Sequence, residues 1–178
     1  MVPAMDPMTP QRALALVAEL GGTAWLVRHH ELVLEAATLL CDELRRVKVQ
    51  FDRTQVLVGA ALHDIGKIVH PVEMSDAGSE HEAAGRQLLL EHGVPPETAR
   101  FCVTHAAWDS PDVVLEDLLV ALADKLWKGK RVEQLEELVT RTIAQLTKRD
   151  VWSVFSRVDA ICERIAAGGA DRLALSAV

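Results

Sequence analysis

The residues whose types and spacing can do chemistry here are imidazoles and carboxylates set into apolar helical stretches. In Ala60-Ala61-Leu62-His63-Asp64-Ile65-Gly66-Lys67 an adjacent imidazole and carboxylate close an apolar run just before a glycine. An ionised Asp in that setting costs several kcal/mol unless something positive or hydrogen-bonding pairs with it. A metal ion is one such partner, and a neighbouring His is another. Asp124 repeats the oddity: residues 113–127 read VVLEDLLVALADKLW, and its helical neighbours are Val120, Ala121 and Trp127. It either points inward to a cation or faces solvent on a narrow polar stripe with Glu116, Asp117 and Lys128. His29 shares a helical stripe with Val33 and Ala37, while His81 and His105 fall on amphipathic stretches. Taken singly, each of these histidines reads as an ordinary residue.

The elements that must position these groups are helices, because apolar residues recur with helical spacing and no alternating strand pattern is flanked by hairpin turns. The opening MVPAMDPM reads as a frayed tail, with Thr9 an N-cap and Pro10 at the first helical position. A short helix runs to about Leu20 and stops at Gly21-Gly22, and Thr23 caps a long second helix carrying His29. Asp52 opens a third that ends at the His63-Asp64 doublet. Residues 69–79, with Pro71, Asp76 and Gly78, read as a loop. Further helices are expected from Ser79 or Glu80 to Glu91, from Pro95 to about Trp108, from Val113 to Lys128, from Val132 to Lys148 and from Asp150 to Ile165. The stretch after Ala166 is rich in small residues and reads as mobile. The organisation expected is all-α and single-domain: residues 1–22 a tail and short helix, 23–131 the core with the chemistry, and 132–178 C-terminal helices packed on the same domain.

Composition narrows the partners. The 178 residues are 49% hydrophobic and 25% charged, enough to bury a core without disulfides. The net charge of -7 argues against a stable complex with nucleic acid, where Lys/Arg stripes supply most of the affinity. Cys41, Cys102 and Cys162 are scattered in apolar stretches and read as reduced core residues in a reducing compartment. The N-terminus lacks a basic region before its apolar stretch, and no run approaches the roughly 20 apolar residues of a membrane span. A cytoplasmic location with no membrane partner is expected.

In chain order the set is His29, His63-Asp64, His81, His105 and Asp124. It resembles the HD superfamily of metal-dependent phosphohydrolases, of the HDIG type. The local contexts match in order: RHHELVLEAA, ALHDIGK, SEHEAAGRQLL, VTHAAW and LVALADKLW. The resemblance covers roughly Trp25 to Lys128 and implies an HD-domain helical bundle. It implies that His29, His63, Asp64 and Asp124 form a first metal site. His81 and His105 would then ligate a second ion, with Asp64 bridging. His29 is preferred to His30 because His29, Val33 and Ala37 keep the family's spacing. Imidazole and carboxylate suit Fe, Mn, Zn, Co or Ni, and sequence does not choose among these divalent metals.

The activity the resemblance implies is hydrolysis of a phosphate ester, of a nucleotide or another small phosphorylated molecule. A metal pair can bring the pKa of a bound water into the neutral range. Asp64 is the candidate general base. Lys67 follows the doublet directly and is the candidate for neutralising substrate phosphate; a solvated lysine at a helix end is the other account of it. Lys125, Lys128, Lys130 and Arg131 form a basic patch that either steers an anion or simply ends a helix. An acidic residue soon after the doublet belongs to the deoxynucleotidase branch, and Glu73 is the nearby candidate, though nothing in the sequence ties it to that role. His70 and His92 read as surface residues. Two other readings stay open: a mixed-valent di-iron oxygenase of the same superfamily, and a non-catalytic HD scaffold or sensor. The apolar faces after Lys128, including Leu135, Ile143, Trp152 and Phe155, either pack on the bundle or form a homodimer surface.

Overall fold

A computed structural model describes residues 8–177, and among them the chain is helical with no strand. The frayed tail expected before Thr9 falls almost wholly outside these residues. Helix α1 is Pro10–Glu19, α2 Ala24–Arg46, α3 Arg53–Leu62, α4 Glu80–Glu91, α5 Pro96–Ala99, α6 Phe101–Thr104, α7 Leu115–Leu126, α8 Glu133–Thr147, α9 Val151–Ala167 and α10 Gly169–Ser176. Two 3-10 turns, Ile65–Ile68 and Pro71–Met74, connect α3 to α4.

Several helices start where a side chain takes up an orphan backbone N–H. Thr9 accepts from Arg12 N, Thr23 from Leu26 N, Asp52 from Gln55 N and Asp150 from Ser153 N, at 2.9–3.2 Å. The first three are the caps legible in the sequence. Helix α2 buries Leu26, His29, Leu32, Val33, Ala36, Ala37, Leu40 and Leu44 along one broad stripe. In α3 every residue from Val56 to Leu62 is buried, and α7 buries nearly its whole length. These two helices are therefore central, and α2 packs against both. Their apolar faces leave polar side chains no solvent to reach.

Two apolar clusters fill the interior. One joins α2, α3 and α7 to α8 and α9. The other joins α1 and the first turn of α2 to the end of α3, to Ile65 and to α4 through α6. The chemistry-bearing residues lie where the two meet: His29 falls between Leu26 of the second cluster and Leu32 of the first, and His63 follows Leu62.

Gly66 sets how closely the doublet approaches α4. A Cβ there would lie 2.6 Å from Gly85 N and would overlap His81 O, so only glycine lets the 3-10 turn lie against the α4 backbone. That contact puts Asp64 beside His81.

Three expectations are corrected. The helix from Pro95 to Trp108 is two short segments, α5 and α6, interrupted at Arg100, whose guanidinium bonds Glu97 O and Asp117 Oδ1. It closes at Thr104, where Ala106 N turns back to Val103 O. The loop 69–79 contains an ordered 3-10 turn. The stretch after Ala166 forms α10, with Arg172 buried and donating to Trp127 O at 2.7 Å, to Leu126 O at 3.2 Å and to Ile165 O. Small residues allow this: a Cβ at Gly169 would lie 2.3 Å from Gly129 N. The composition that suggested mobility is what lets α10 dock.

Two measurements test this packing. Gly66→Ala meets the α4 backbone and cannot relax by a rotamer change. It is expected to cost at least about 1–3 kcal/mol in urea unfolding. All three cysteines are buried, and burial pushes the Cys41 and Cys162 thiols up to about 12. A thiol reagent at neutral pH should titrate none of them in the native protein and three in denaturant.

Candidate metal centre

Asp64 stands at the middle of the site. It follows His63, the last residue of the α3 turn, and its side chain is almost fully buried. Oδ2 lies 3.2 Å from His29 Nε2 and 3.6 Å from His63 Nε2. Oδ1 lies 3.2 Å from His81 Nε2 and 3.3 Å from His105 Nε2. Asp124, on α7, places Oδ1 3.4 Å from His63 Nε2. All six residues singled out in the sequence therefore converge, from α2, the α3–α4 connection, α4, the end of α6 and α7.

The second nitrogens of three rings are engaged outward. His63 Nδ1 donates to Ala60 O and His105 Nδ1 to Phe101 O, each at 3.0 Å, and His81 Nδ1 bonds the Glu73 carboxylate. Each such bond fixes Nδ1–H and leaves the Nε2 lone pair aimed inward. His29 is held differently. Its ring stacks on Trp25, with centroids 5.6 Å apart and planes at 5°, and meets Trp127 edge-on at 5.1 Å.

Three of the inward nitrogens are not spent on hydrogen bonds. His29 Nε2, His63 Nε2 and His81 Nε2 are buried without a hydrogen-bond partner, although carboxylate oxygens lie close by. Donors that share one cation at bonds of about 2.1 Å sit roughly 3.0–3.4 Å apart, from octahedral to tetrahedral geometry. Three of the four spacings, at 3.2–3.3 Å, suit that arrangement, and His63 at 3.6 Å lies just beyond it. Two buried triads could hold a metal ion, His29/His63/Asp64 and Asp64/His81/His105, and they share Asp64. Asp124 adds a further oxygen beside His63.

Electrostatics agree with an ionised, cation-seeking site. Burial raises the Asp64 carboxyl, but His63 and the imidazoles of His105, His29 and His81 more than offset it and hold it well below the usual carboxylate range. Burial likewise opposes ionisation of Asp124, and His63 and Lys125 overcome it. Burial pushes the His63 imidazole down, so its lone pair is free.

Lys67 does enter the site, with Nζ 2.6 Å from Asp64 Oδ2 and its side chain largely covered. Lys125 belongs here more than to a surface patch, because its Nζ lies 2.6 Å from Asp124 Oδ2. Lys128 and Lys130 are exposed, and Arg131 pairs with Glu136 and Asp159. His30, set aside in the sequence, is completely buried, and its Nε2 accepts the backbone N–H of Asp64 at 3.2 Å. Burial, then the neighbouring His63 and His29, keep that ring neutral, well below an ordinary imidazole pKa. The sequence offered it only as the alternative to His29, since it stands one residue round the helix. His70, Glu73 and Glu80 form a third, more exposed grouping, in which both Glu73 oxygens already accept N–H bonds. His92 bonds Leu88 O at an exposed helix end.

A helical bundle whose buried His/Asp groups could hold divalent metals defines a class of metal-binding helical proteins. A family model, HD domain, matches residues 26–127, more than half of the chain, and the chain belongs to that family. No curated protein and no solved structure matches it. The family commonly includes metal-dependent phosphohydrolases.

Metal occupancy should register as stability. Against chelator-stripped protein, Mn²⁺ at about 100 times its Kd is expected to add about 2.7 kcal/mol, a Tm rise of roughly 5–10 °C. An unchanged Tm in every divalent metal tried would count against the centre.

Proposed function

We propose that this protein hydrolyses a phosphate ester of a nucleotide or another small phosphorylated molecule, using divalent metals held by His29, His63, Asp64, His81, His105 and Asp124. The observation that carries this reading is the pair of buried donor triads meeting at one ionised carboxylate. Bound there, the metals would supply Lewis acidity toward a phosphoryl oxygen and a water acidic enough to ionise near neutral pH.

The chain's own groups divide the remaining work. Asp64 presents an ionised carboxylate at the centre and is the group placed to take a proton from an attacking water. Lys67 and Lys125 bring ammonium groups to two sides of the centre, next to Asp64 and Asp124, each side chain partly open to solvent. In that position they can neutralise charge on a bound phosphate without leaving the site. Trp25 and Trp127 pack around His29 and keep water off its ring faces. His30 fixes the peptide that carries Asp64. The acidic net charge argues against a nucleic acid and does not forbid a small anionic substrate, to which a metal centre would supply positive charge locally. Among the described residues no helix is long and apolar enough to cross a membrane.

The test combines metal analysis of protein purified without chelator with phosphate release from a panel of nucleotides and phosphoesters. About two ions per chain and release that disappears in Asp64→Ala are expected. Lys67→Ala should retain the metals and lose roughly 10–100-fold in kcat/KM, the worth of one charged hydrogen bond of about 1.5–3 kcal/mol. Oxygen uptake by the iron-loaded protein, with no phosphate released from any ester, would replace this reading with an oxygenase.

A further inference from the structure

We propose that Glu73 is the positioning residue for His81, fixing its tautomer and direction from outside the centre. This rests on the reading of His81 as a metal ligand.

Glu73 lies in the 3-10 turn Pro71–Met74, eight residues before the ring it serves. Its Oε2 accepts from both the backbone N–H of His81 (3.1 Å) and the ring Nδ1–H. Its Oε1 accepts from Glu80 N at 3.1 Å. Ser79 occupies the N-cap position of α4 and makes no capping bond with its side chain. One carboxylate therefore does two things: it starts α4, and it turns the His81 ring so that Nε2 faces Asp64 Oδ1. An imidazole bonded through Nδ1–H to a carboxylate is a more basic ligand through Nε2 than one bonded to a neutral group.

His81 is the one imidazole of the proposed ligand set whose outer nitrogen is hydrogen-bonded by a side chain. His63 and His105 use main-chain carbonyls, and His29 uses aromatic packing. The Asp64/His81/His105 half of the centre should then respond to Glu73, and the half built on His29 and Asp124 should not.

Gly78 supplies an independent handle. Its backbone is not in the left-handed region, so alanine is tolerated there. A Cβ at this position, however, would overlap Cγ, Cδ and Oε1 of Glu73. The obstructing atoms are the end of a flexible side chain. Gly78→Ala therefore displaces the Glu73 carboxylate without a backbone clash, at a folding cost limited to the α4 cap and without touching any proposed ligand.

The first experiment uses the full metal-free chain with ¹⁵N-labelled histidine, at alkaline pH where the ring is neutral. Long-range ¹H–¹⁵N correlations should show His81 protonated on Nδ1 in the parent. In both Glu73→Ala and Gly78→Ala that preference should be lost, while His63 and His105 keep theirs. An unchanged His81 tautomer in the variants overturns the proposal. The second experiment titrates Mn²⁺ into each protein. One of two ions should bind about 10–100-fold more weakly in both variants, with the other within twofold of the parent. Equal weakening of both ions, or a lowered Tm with both affinities intact, would reduce Glu73 to a helix cap and overturn the proposal. If the parent takes up no ion at all, the phosphohydrolase reading fails, and the tautomer measurement alone decides the role of Glu73.

Discussion

The structure depends on keeping one carboxylate ionised inside an apolar bundle. Asp64 is nearly inaccessible to water, yet the groups around it hold its pKa far below normal. Four imidazoles face its two oxygens, and Lys67 caps one of them. Every helix that reaches this point is constrained by it. Helix α3 must end where the doublet begins, α4 must approach the turn closely enough to require Gly66, and α2 and α7 must bring His29, His30 and Asp124 to it on largely apolar buried faces. An unpaired carboxylate here would cost several kcal/mol, so the surrounding donors have to arrive together or the fold loses more than it gains.

How much of this was legible follows from what makes a residue conspicuous. His63, Asp64 and Asp124 stand out because ionisable side chains interrupt apolar runs, and the ordered histidines pointed to the family that residues 26–127 match. The caps Thr9, Thr23 and Asp52 are local signals, and local signals survive folding. What sequence did not show was tertiary. His30 differs from its neighbour His29 by one step of about 100° round the helix, and only the docking of the α3 turn decides that both are buried. Glu73 lies in a connection whose course depends on two 3-10 turns, so its place beside His81 had no periodicity to read. Helix α10 is held by Arg172 bonding carbonyls of α7 and α9 and by Arg28 of α2 donating to Leu175 O, long-range contacts that composition cannot anticipate.

His29 and His30 divide one task between them. The first ring faces the Asp64 side chain and the second accepts the Asp64 backbone N–H. A backbone N–H can only donate, so His30 Nε2 must be an unprotonated acceptor, which agrees with the depressed pKa that burial gives it. The buried doublet thus has its main chain and its carboxylate fixed from a single turn of α2. Removing His30 would leave the Asp64 N–H without its partner in the interior, a loss comparable to a missing hydrogen bond.

The four imidazoles are not equivalent in how firmly they are held. His63 and His105 are locked by carbonyls of their own helical turns, which no side-chain change can remove. His81 is locked by a carboxylate borrowed from a loop. His29 has no partner on Nδ1 and is kept in place by stacking on Trp25 and by Trp127, so shape fixes its plane and only Asp64, facing Nε2, bears on its tautomer. Stacking itself leaves Nδ1 and Nε2 distinguishable only by what lies in front of them, which is Asp64 before Nε2 and no hydrogen-bond partner before Nδ1. The ionised Asp64 in front of Nε2 favours a proton there, and a cation in that position would favour the other tautomer, with the proton on Nδ1. The ring that contributes least to its own orientation is thereby the one whose protonation pattern an arriving ion would set.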